Sequence, residues 1–164
     1  MRVGNGLRFG SLSEGEPLEL GIAFAVFWWD QDIVELRVMS SNGYFAGLVK
    51  IYVGHDMLLQ VAERLKGFPS STSDSRDFEL GTFDPKYADG GLRMHFYCLD
   101  SVGHAAVEIK IRGDRCEALG EVESVALRIP IEAAGVDSFI EQVRAMDTEQ
   151  LGATARLPMV GQRE

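Results

Sequence analysis

Residues 92–112 read LRMHFYCLDSVGHAAVEIKIR and decide the fold of this chain. Apolar and polar residues alternate on both sides of a short break at 100–103. A period of two over this length predicts two strands, each with one face on a hydrophobic core. A four-residue turn at the break makes the two strands an antiparallel hairpin. Its register pairs His95 with Glu108, Tyr97 with Ala106 and Arg93 with Lys110.

The first half of the chain repeats this pattern. Residues 18–28 are apolar at every second position, and another alternating run begins at Val34. The dipeptide Asn42-Gly43 ends that run and is a strong hairpin signal, because a type I′ turn needs φ > 0 at both central residues. A two-residue turn predicts four cross-strand pairs: Ser41 with Tyr44, Leu36 with Val49, Val34 with Ile51 and Glu35 with Lys50.

Two further segments have helical spacing. Residues 55–66 carry apolar side chains at i, i+3, i+4 and i+7, and residues 137–146 carry a second apolar stripe. Weaker strands are predicted at 78–83 and at 124–131, where Pro130 indicates a sheet edge or a strand end. The fold class is therefore α+β, with an antiparallel sheet of about six or seven strands and two helices packed on one face.

The chain has 164 residues, which is the usual size of one domain. We expect this domain at 18–147, between a flexible N-terminal segment at 1–17 and a flexible C-terminal tail at 148–164, because neither end has a hydrophobic period. The two cysteines form neither a zinc motif nor a disulfide framework, and the longest apolar run is too short to cross a bilayer. A reduced, cytoplasmic protein is predicted.

The net charge of the chain is −9 at pH 7. Because nucleic-acid-binding domains carry a surplus of lysine and arginine, this balance predicts no nucleic-acid partner. The sequence contains no membrane span, no metal-ligand spacing and no complete cofactor motif, so no membrane, metal or cofactor is expected. The expected partner is another protein, or a second copy of the chain in a homo-oligomer.

One face of the predicted sheet inverts this acidic balance. The polar members of the alternations are Glu35, Arg37, Lys50, Tyr52, Arg93, His95, Tyr97, Glu108, Lys110, Arg112, Ser124 and Arg128, of which six are lysine or arginine and two are acidic. A basic face on an acidic domain suits an acidic protein surface or an anionic ligand, although such residues are also ordinary on exposed sheet. The predicted interaction face consists of Arg37, Lys50, Arg93, His95, Tyr97, Glu108, Lys110 and Arg128.

The pair of His95 and Glu108 offers an alternative function. A histidine beside a carboxylate can take part in acid–base chemistry. The alternative is therefore a small-ligand-binding protein or an enzyme with a pocket near His95, Tyr97 and Glu108. No serine or cysteine nucleophile accompanies the pair in the sequence, so no catalytic residue is assigned, and a plain cross-strand contact is the simpler interpretation.

The dipeptide Trp28-Trp29 is a second candidate for a contact surface. Trp28 shares the parity of the core positions in its strand, so Trp29 is predicted to point the other way. An exposed tryptophan is a frequent interface anchor. Packing beneath the N-terminal segment is the alternative for Trp29.

The runs at 34–53 and 92–112, together with a helix that ends in residues 63–68 (ERLKGF), resemble a family of small bacterial proteins of unknown function. The resemblance is one of layout and covers roughly residues 30–147, and Phe68 stands where such proteins often carry a tryptophan. It implies this fold and a bacterial origin, but no activity. The sequence favours a non-enzymatic protein-interaction module of a bacterial cell.

Overall fold

The computed structural model describes residues 19–113 and 122–161. The predicted flexible segment at 1–17 lies outside the described residues. Within them, eight strands and two helices confirm the α+β class. Their bounds are β1 Gly21–Trp29, β2 Ile33–Ser41, β3 Ala46–Gly54, α1 Met57–Leu65, β4 Ser75–Gly81, β5 Gly91–Cys98, β6 Ala105–Arg112, β7 Ser124–Ile131, α2 Ala133–Ala145 and β8 Thr154–Pro158.

The strands form two antiparallel sheets of four strands each. Sheet A has the order β3-β2-β1-β8, and sheet B has the order β4-β5-β6-β7. The prediction of one sheet with six or seven strands is therefore wrong. Alternation shows which side of a strand is buried, but it does not show whether β3 and β4 pair across the intervening helix. They do not: β3 packs against sheet B, where a Cβ added to Gly47 would press on Val125 and Ile111.

The hairpin of β5 and β6 has the predicted register, and all three predicted pairs are confirmed. The hairpin of β2 and β3 differs by two residues, since Ser41 lies opposite Ala46 instead of Tyr44. Its turn is longer because the side-chain oxygen of Asn42 accepts hydrogen bonds from the N–H groups of Tyr44 and Phe45, at 3.0 and 2.9 Å. A shift of two residues keeps the parity, so each side chain of the hairpin stays on its predicted face.

Strand β8 lies in the segment that was expected to be a tail. It pairs with β1, and Ile22 lies opposite Leu157. Ala155 and Leu157 are buried and alternate with exposed neighbours. Two buried positions in a five-residue strand are too few for a periodic signal to stand out in the sequence.

Both sheets and both helices share one hydrophobic core. Helix α1 buries the side chains whose spacing predicted it, and α2 begins earlier than predicted, at Ala133. Phe139 of α2 packs against Phe24 of β1, with ring centroids 5.8 Å apart. Full burial of such a side chain contributes about 1.5–3 kcal/mol. The helices thus fill the inner side of the fold and leave the outer faces of both sheets for other contacts.

Candidate functional site

The predicted interaction face is divided between the two sheets. Arg37 of β2 and Lys50 of β3 lie opposite each other on sheet A. The other six residues lie on sheet B: Arg93, His95, Tyr97, Glu108, Lys110 and Arg128. The prediction placed all eight on one sheet, so the two groups have to be described as separate surfaces.

On sheet B, carboxylates neutralise the basic side chains. Arg93 Nε lies 2.7 Å from Glu79 Oε2, and Arg128 Nε lies 3.1 Å from Glu108 Oε2. The sequence prediction missed Glu79 and Asp77 because both belong to β4, whose alternation is weak. Exposed ion pairs of this kind contribute at most about 1 kcal/mol each. The expected excess of positive charge is therefore compensated on this sheet.

His95 binds Asp77 instead of Glu108. Its Nδ1 lies 2.7 Å from Asp77 Oδ1, and its ring stacks on Tyr97 with centroids 5.3 Å apart. Both Asp77 and His95 line an open groove of about 530 Å³ on sheet B. This geometry orients an imidazole for proton transfer, but no serine or cysteine of the described residues hydrogen-bonds to it.

The outer face of sheet A is rich in exposed apolar side chains. Five of them are between 38% and 45% exposed, namely Phe27, Trp28, Met39, Leu48 and Tyr52. Arg37 and Lys50 lie among them, and we name these seven residues the aromatic face. Clustered exposed apolar side chains mark interaction surfaces more often than scattered ones do. Met39 and Leu48 stand at outward positions of their alternations, and that signal could have revealed this face from the sequence.

A β-bulge in β1 places two aromatic side chains on the aromatic face. The register with β2 slips between Val26 and Trp28, so Phe27 is an extra residue. The slip reverses the parity of the strand end, and Trp28, predicted to face the core, is 44% exposed. Trp29, predicted to point the other way, is 36% exposed and packs edge to face against His55.

A buried carboxylate lies within the aromatic face. Glu35 is only 6% exposed, because Trp28 and Tyr52 flank it on the neighbouring strands and their rings meet edge to face, 6.5 Å apart. Its Oε1 lies 3.1 Å from Lys50 Nζ, in an ion pair. Burial lowers the pKa of Lys50, but the Glu35 carboxylate outweighs burial, and the pKa stands above its ordinary value. Lys50 is therefore charged at physiological pH.

Arg37 is held by an aromatic ring instead of a carboxylate. Its guanidinium carbon lies 4.9 Å from the centroid of the Phe27 ring, and Lys50 Nζ lies 5.3 Å from the same centroid. Such cation–π contacts contribute about 0.5–1 kcal/mol at exposed sites. Among the described residues, Arg37 forms no ion pair and its buried Nε has no hydrogen-bond acceptor. Within the part of the chain that the structure describes, Arg37 is thus a cation without a carboxylate partner, flanked by Lys50 and by apolar side chains.

Each edge strand of the two sheets has backbone groups that are hydrogen-bonded to the rest of the fold. The edge strands are β3, β8, β4 and β7, and the edge position of β7 confirms the prediction from Pro130. Their covering hydrogen bonds run from Gly90 N–H to Lys50 O, from Gln142 to Arg156 O, from Arg64 to Asp77 O and from Asn42 to Arg128 O. Occupied edge groups oppose the addition of a foreign strand.

Gln142 offers a test of this edge protection. Its Nε2 donates to Arg156 O at 3.2 Å, and its Oε1 accepts from Arg156 N–H at 3.0 Å. We expect Gln142→Ala to lower the free energy of unfolding by about 1 kcal/mol in urea denaturation, because two hydrogen bonds are lost to water. Sedimentation velocity should also show more self-association than for the control Gln150→Ala. If neither quantity changes, Gln142 does not protect the edge.

The chain matches no known protein family, no curated protein and no solved structure. The resemblance to a bacterial family therefore stays a prediction. In residues 19–113 and 122–161, no histidine, cysteine and carboxylate side chains group as a metal site requires. None of the helices in those ranges is long and apolar enough to cross a bilayer. Function has to be argued from the two sheet faces.

Proposed function

We propose that the chain is a non-enzymatic protein-interaction module that binds its partner through the aromatic face. The observation that carries this proposal is the exposure of Trp28 and Tyr52 beside the uncompensated Arg37. Tryptophan, tyrosine and arginine are the residues most enriched in the hot spots of protein interfaces. Here they stand on adjacent rows of one sheet, so a single partner can contact all three.

The side chains of the aromatic face already contact one another within the chain. The rings of Trp28 and Tyr52 touch, and Phe27 lies against both Arg37 and Lys50. Fixing a free side chain on binding costs roughly 0.5–1.5 kcal/mol, and side chains already held by their neighbours avoid most of that loss. The pre-ordering supports a binding role for this surface.

The groove near His95, Tyr97 and Glu108 gives less support to the alternative of a ligand-binding protein or an enzyme. Ligand sites usually enclose most of the ligand surface, whereas this groove is open and its charged groups are paired with one another. The proposed setting of the interaction module is the bacterial cytoplasm, as the sequence resemblance and the cysteine usage imply.

Photo-crosslinking at position 28 tests this proposal. With p-benzoylphenylalanine in place of Trp28, irradiation of cells that natively produce the protein should give discrete protein adducts of higher mass. Leu59 on α1 is the matched control, because it is apolar and 45% exposed, and the same replacement there should give none of these adducts. Mass spectrometry identifies the adducts. The same replacement at Tyr52 is a second probe, and equal adducts from positions 28 and 59, or no adducts from either position 28 or position 52, would overturn the proposal.

A further inference from the structure

We infer that the occupant of the aromatic face is an acidic amphipathic helix of a partner protein, lying along β2 and β3. The inference rests on the proposed function and specifies the partner of the same surface. It is carried by the shape of the apolar stripe, by the charge at its centre and by the partly occupied sheet edges.

The exposed apolar side chains form a stripe along β2 and β3, with Trp28 of β1 at one end. The stripe begins at Trp28 and Tyr52 and ends at the β2–β3 turn, where Tyr44 is 91% and Phe45 is 62% exposed. Six residue steps of β3 separate Tyr52 from Ala46, a span of about 20 Å at 3.3 Å per residue, and the turn with Tyr44 and Phe45 lies beyond it. A helix of about 17 residues is about 25 Å long and reaches from Tyr52 past Ala46 to the turn, and its diameter of about 10 Å covers two strands.

The turn that ends the stripe is fixed to the rest of the fold. Asn42 accepts two backbone hydrogen bonds from within the turn, and its Nδ2 donates to Arg128 O at 3.1 Å. Ser41 Oγ accepts a further bond from Gly43 N–H. Two exposed aromatic side chains therefore stand on a braced turn, which extends the contact surface beyond the strands.

The centre of the stripe is cationic. Glu35 compensates Lys50, but no described carboxylate compensates Arg37, although the chain as a whole carries a net charge of −9. A partner carboxylate opposite Arg37 would find a cation in apolar surroundings, where attraction is stronger than in water. A lysine-rich partner would meet like charge there, and like-charge contacts suppress wrong partners.

A second copy of the chain fits this surface less well. In a two-fold dimer the same patch is used on both subunits. Two aromatic faces centred on Arg37 would therefore bring the two uncompensated guanidinium groups together. Strand addition at the neighbouring edge is also opposed, because Gly90 N–H already occupies the carbonyl group of Lys50 at 2.9 Å. A helix that lies along β2 and β3 on this face avoids both the repulsion between guanidinium groups and the occupied edge.

A displayed library of helical peptides tests the inference. Each 18-residue peptide carries one leucine-rich face, and its remaining positions are drawn from Asp, Glu, Lys and Arg. Selection for binding to the full chain should enrich Asp and Glu at these positions. A synthesised peptide from the enriched pool should bind the chain, as measured by fluorescence anisotropy. Arg37→Glu should weaken this binding at least about tenfold, which corresponds to about 1.4 kcal/mol. Arg93→Glu on sheet B is the matched control and should leave the affinity unchanged.

Several outcomes would contradict the inference that the partner is an acidic helix. These are enrichment of lysine and arginine, no enrichment at all, and equal loss of affinity in Arg37→Glu and Arg93→Glu. Binding of the chain to vesicles of phosphatidylcholine with phosphatidylserine, abolished by Trp28→Ala, would assign the surface to a membrane instead. Protein adducts from position 28 without an acidic helical winner would leave the interaction module standing and remove only this inference.

Discussion

Gly90→Ala is expected to prevent the chain from folding into a stable domain. An added Cβ would overlap the carbonyl oxygen of Arg112 and the Cγ2 of Val49. The carbonyl group is part of β6 and Val49 is buried in β3, so neither neighbour can move without displacing a strand. We expect the free energy of unfolding to fall by about 4 kcal/mol or more. This is a large part of the roughly 5–15 kcal/mol that keeps a domain folded.

The effect is large because Gly90 lies where the two sheets meet. Its N–H donates to Lys50 O of sheet A at 2.9 Å, and its carbonyl accepts from Thr82 N–H at 3.0 Å. The buried guanidinium group of Arg112, from sheet B, donates to Thr82 O and Asp89 O at 3.1 and 2.9 Å. Arg112, counted in the sequence among the polar face residues, therefore holds the β4–β5 loop, through which Gly90 reaches sheet A, instead of facing a partner.

Circular dichroism and urea denaturation measure this effect, with Gly135→Ala as the control. A Cβ at Gly135, in α2, has no neighbour closer than 3.8 Å. Because alanine is a better helix former than glycine, we expect Gly135→Ala to raise the free energy of unfolding by about 0.5–1 kcal/mol. A Gly90→Ala protein with the unfolding midpoint of the wild type would show that the sheets do not meet as described.

The contrast between the two hairpins shows what the sequence could predict about the fold. Two clear alternations flank the break at 100–103, and one register satisfies both, so β5 and β6 were predicted to the residue. The side chain of Asn42 enlarges the other turn by accepting hydrogen bonds from Tyr44 N–H and Phe45 N–H. The preference of Asn-Gly for two-residue turns does not take these hydrogen bonds into account. The division into two sheets depends on close approaches at Gly47 and Gly90, which join residues far apart in the chain.

Only part of the candidate site could be predicted from the sequence. Arg37 and Lys50 follow from the alternation of β2 and β3, because a shift of two residues preserves the face. Phe27 keeps the outward parity of its alternation, but Trp28 does not follow from it, because one extra residue in β1 reverses the positions after Phe27. A bulge depends on pairing with the neighbouring strand, and it therefore leaves no mark in a single-strand pattern.

Arg76→Ala is expected to lower the free energy of unfolding by about 3 kcal/mol. The guanidinium group donates to both oxygens of Asp74 at 3.1 and 2.7 Å, and to the carbonyl oxygens of Arg64 and Lys66 at the end of α1, at 2.9 and 2.7 Å. It also lies 5.4 Å from the ring centroid of Phe68. Alanine would leave a nearly buried carboxylate without its cation and the helix end without a donor.

Arg93→Ala is the matched control for this prediction. Arg93 also approaches a carboxylate at 2.7 Å, that of Glu79, and it also lies over an aromatic ring, that of Phe83. The side chains of Arg93 and Glu79 are both about half exposed, so we expect Arg93→Ala to lower the free energy of unfolding by less than about 1 kcal/mol. Equal losses in the two variants would contradict the role assigned to burial at Asp74.

The pH dependence distinguishes a charge effect from lost packing. The hydrogen bonds from Arg76 hold the pKa of Asp74 well below its ordinary value of 3.8. A carboxyl group whose pKa is lowered by folding stabilises the folded state above its ordinary pKa, and this contribution is lost progressively as the pH falls below about 4 toward the lower pKa of the folded state. Arg76→Ala removes the largest cause of the lowered pKa, so the free energy of unfolding of the variant should fall less on acidification and approach that of the wild type. Urea denaturation at pH 7 and pH 3 measures this, and a stability difference that is the same at both pH values would assign the effect to packing alone.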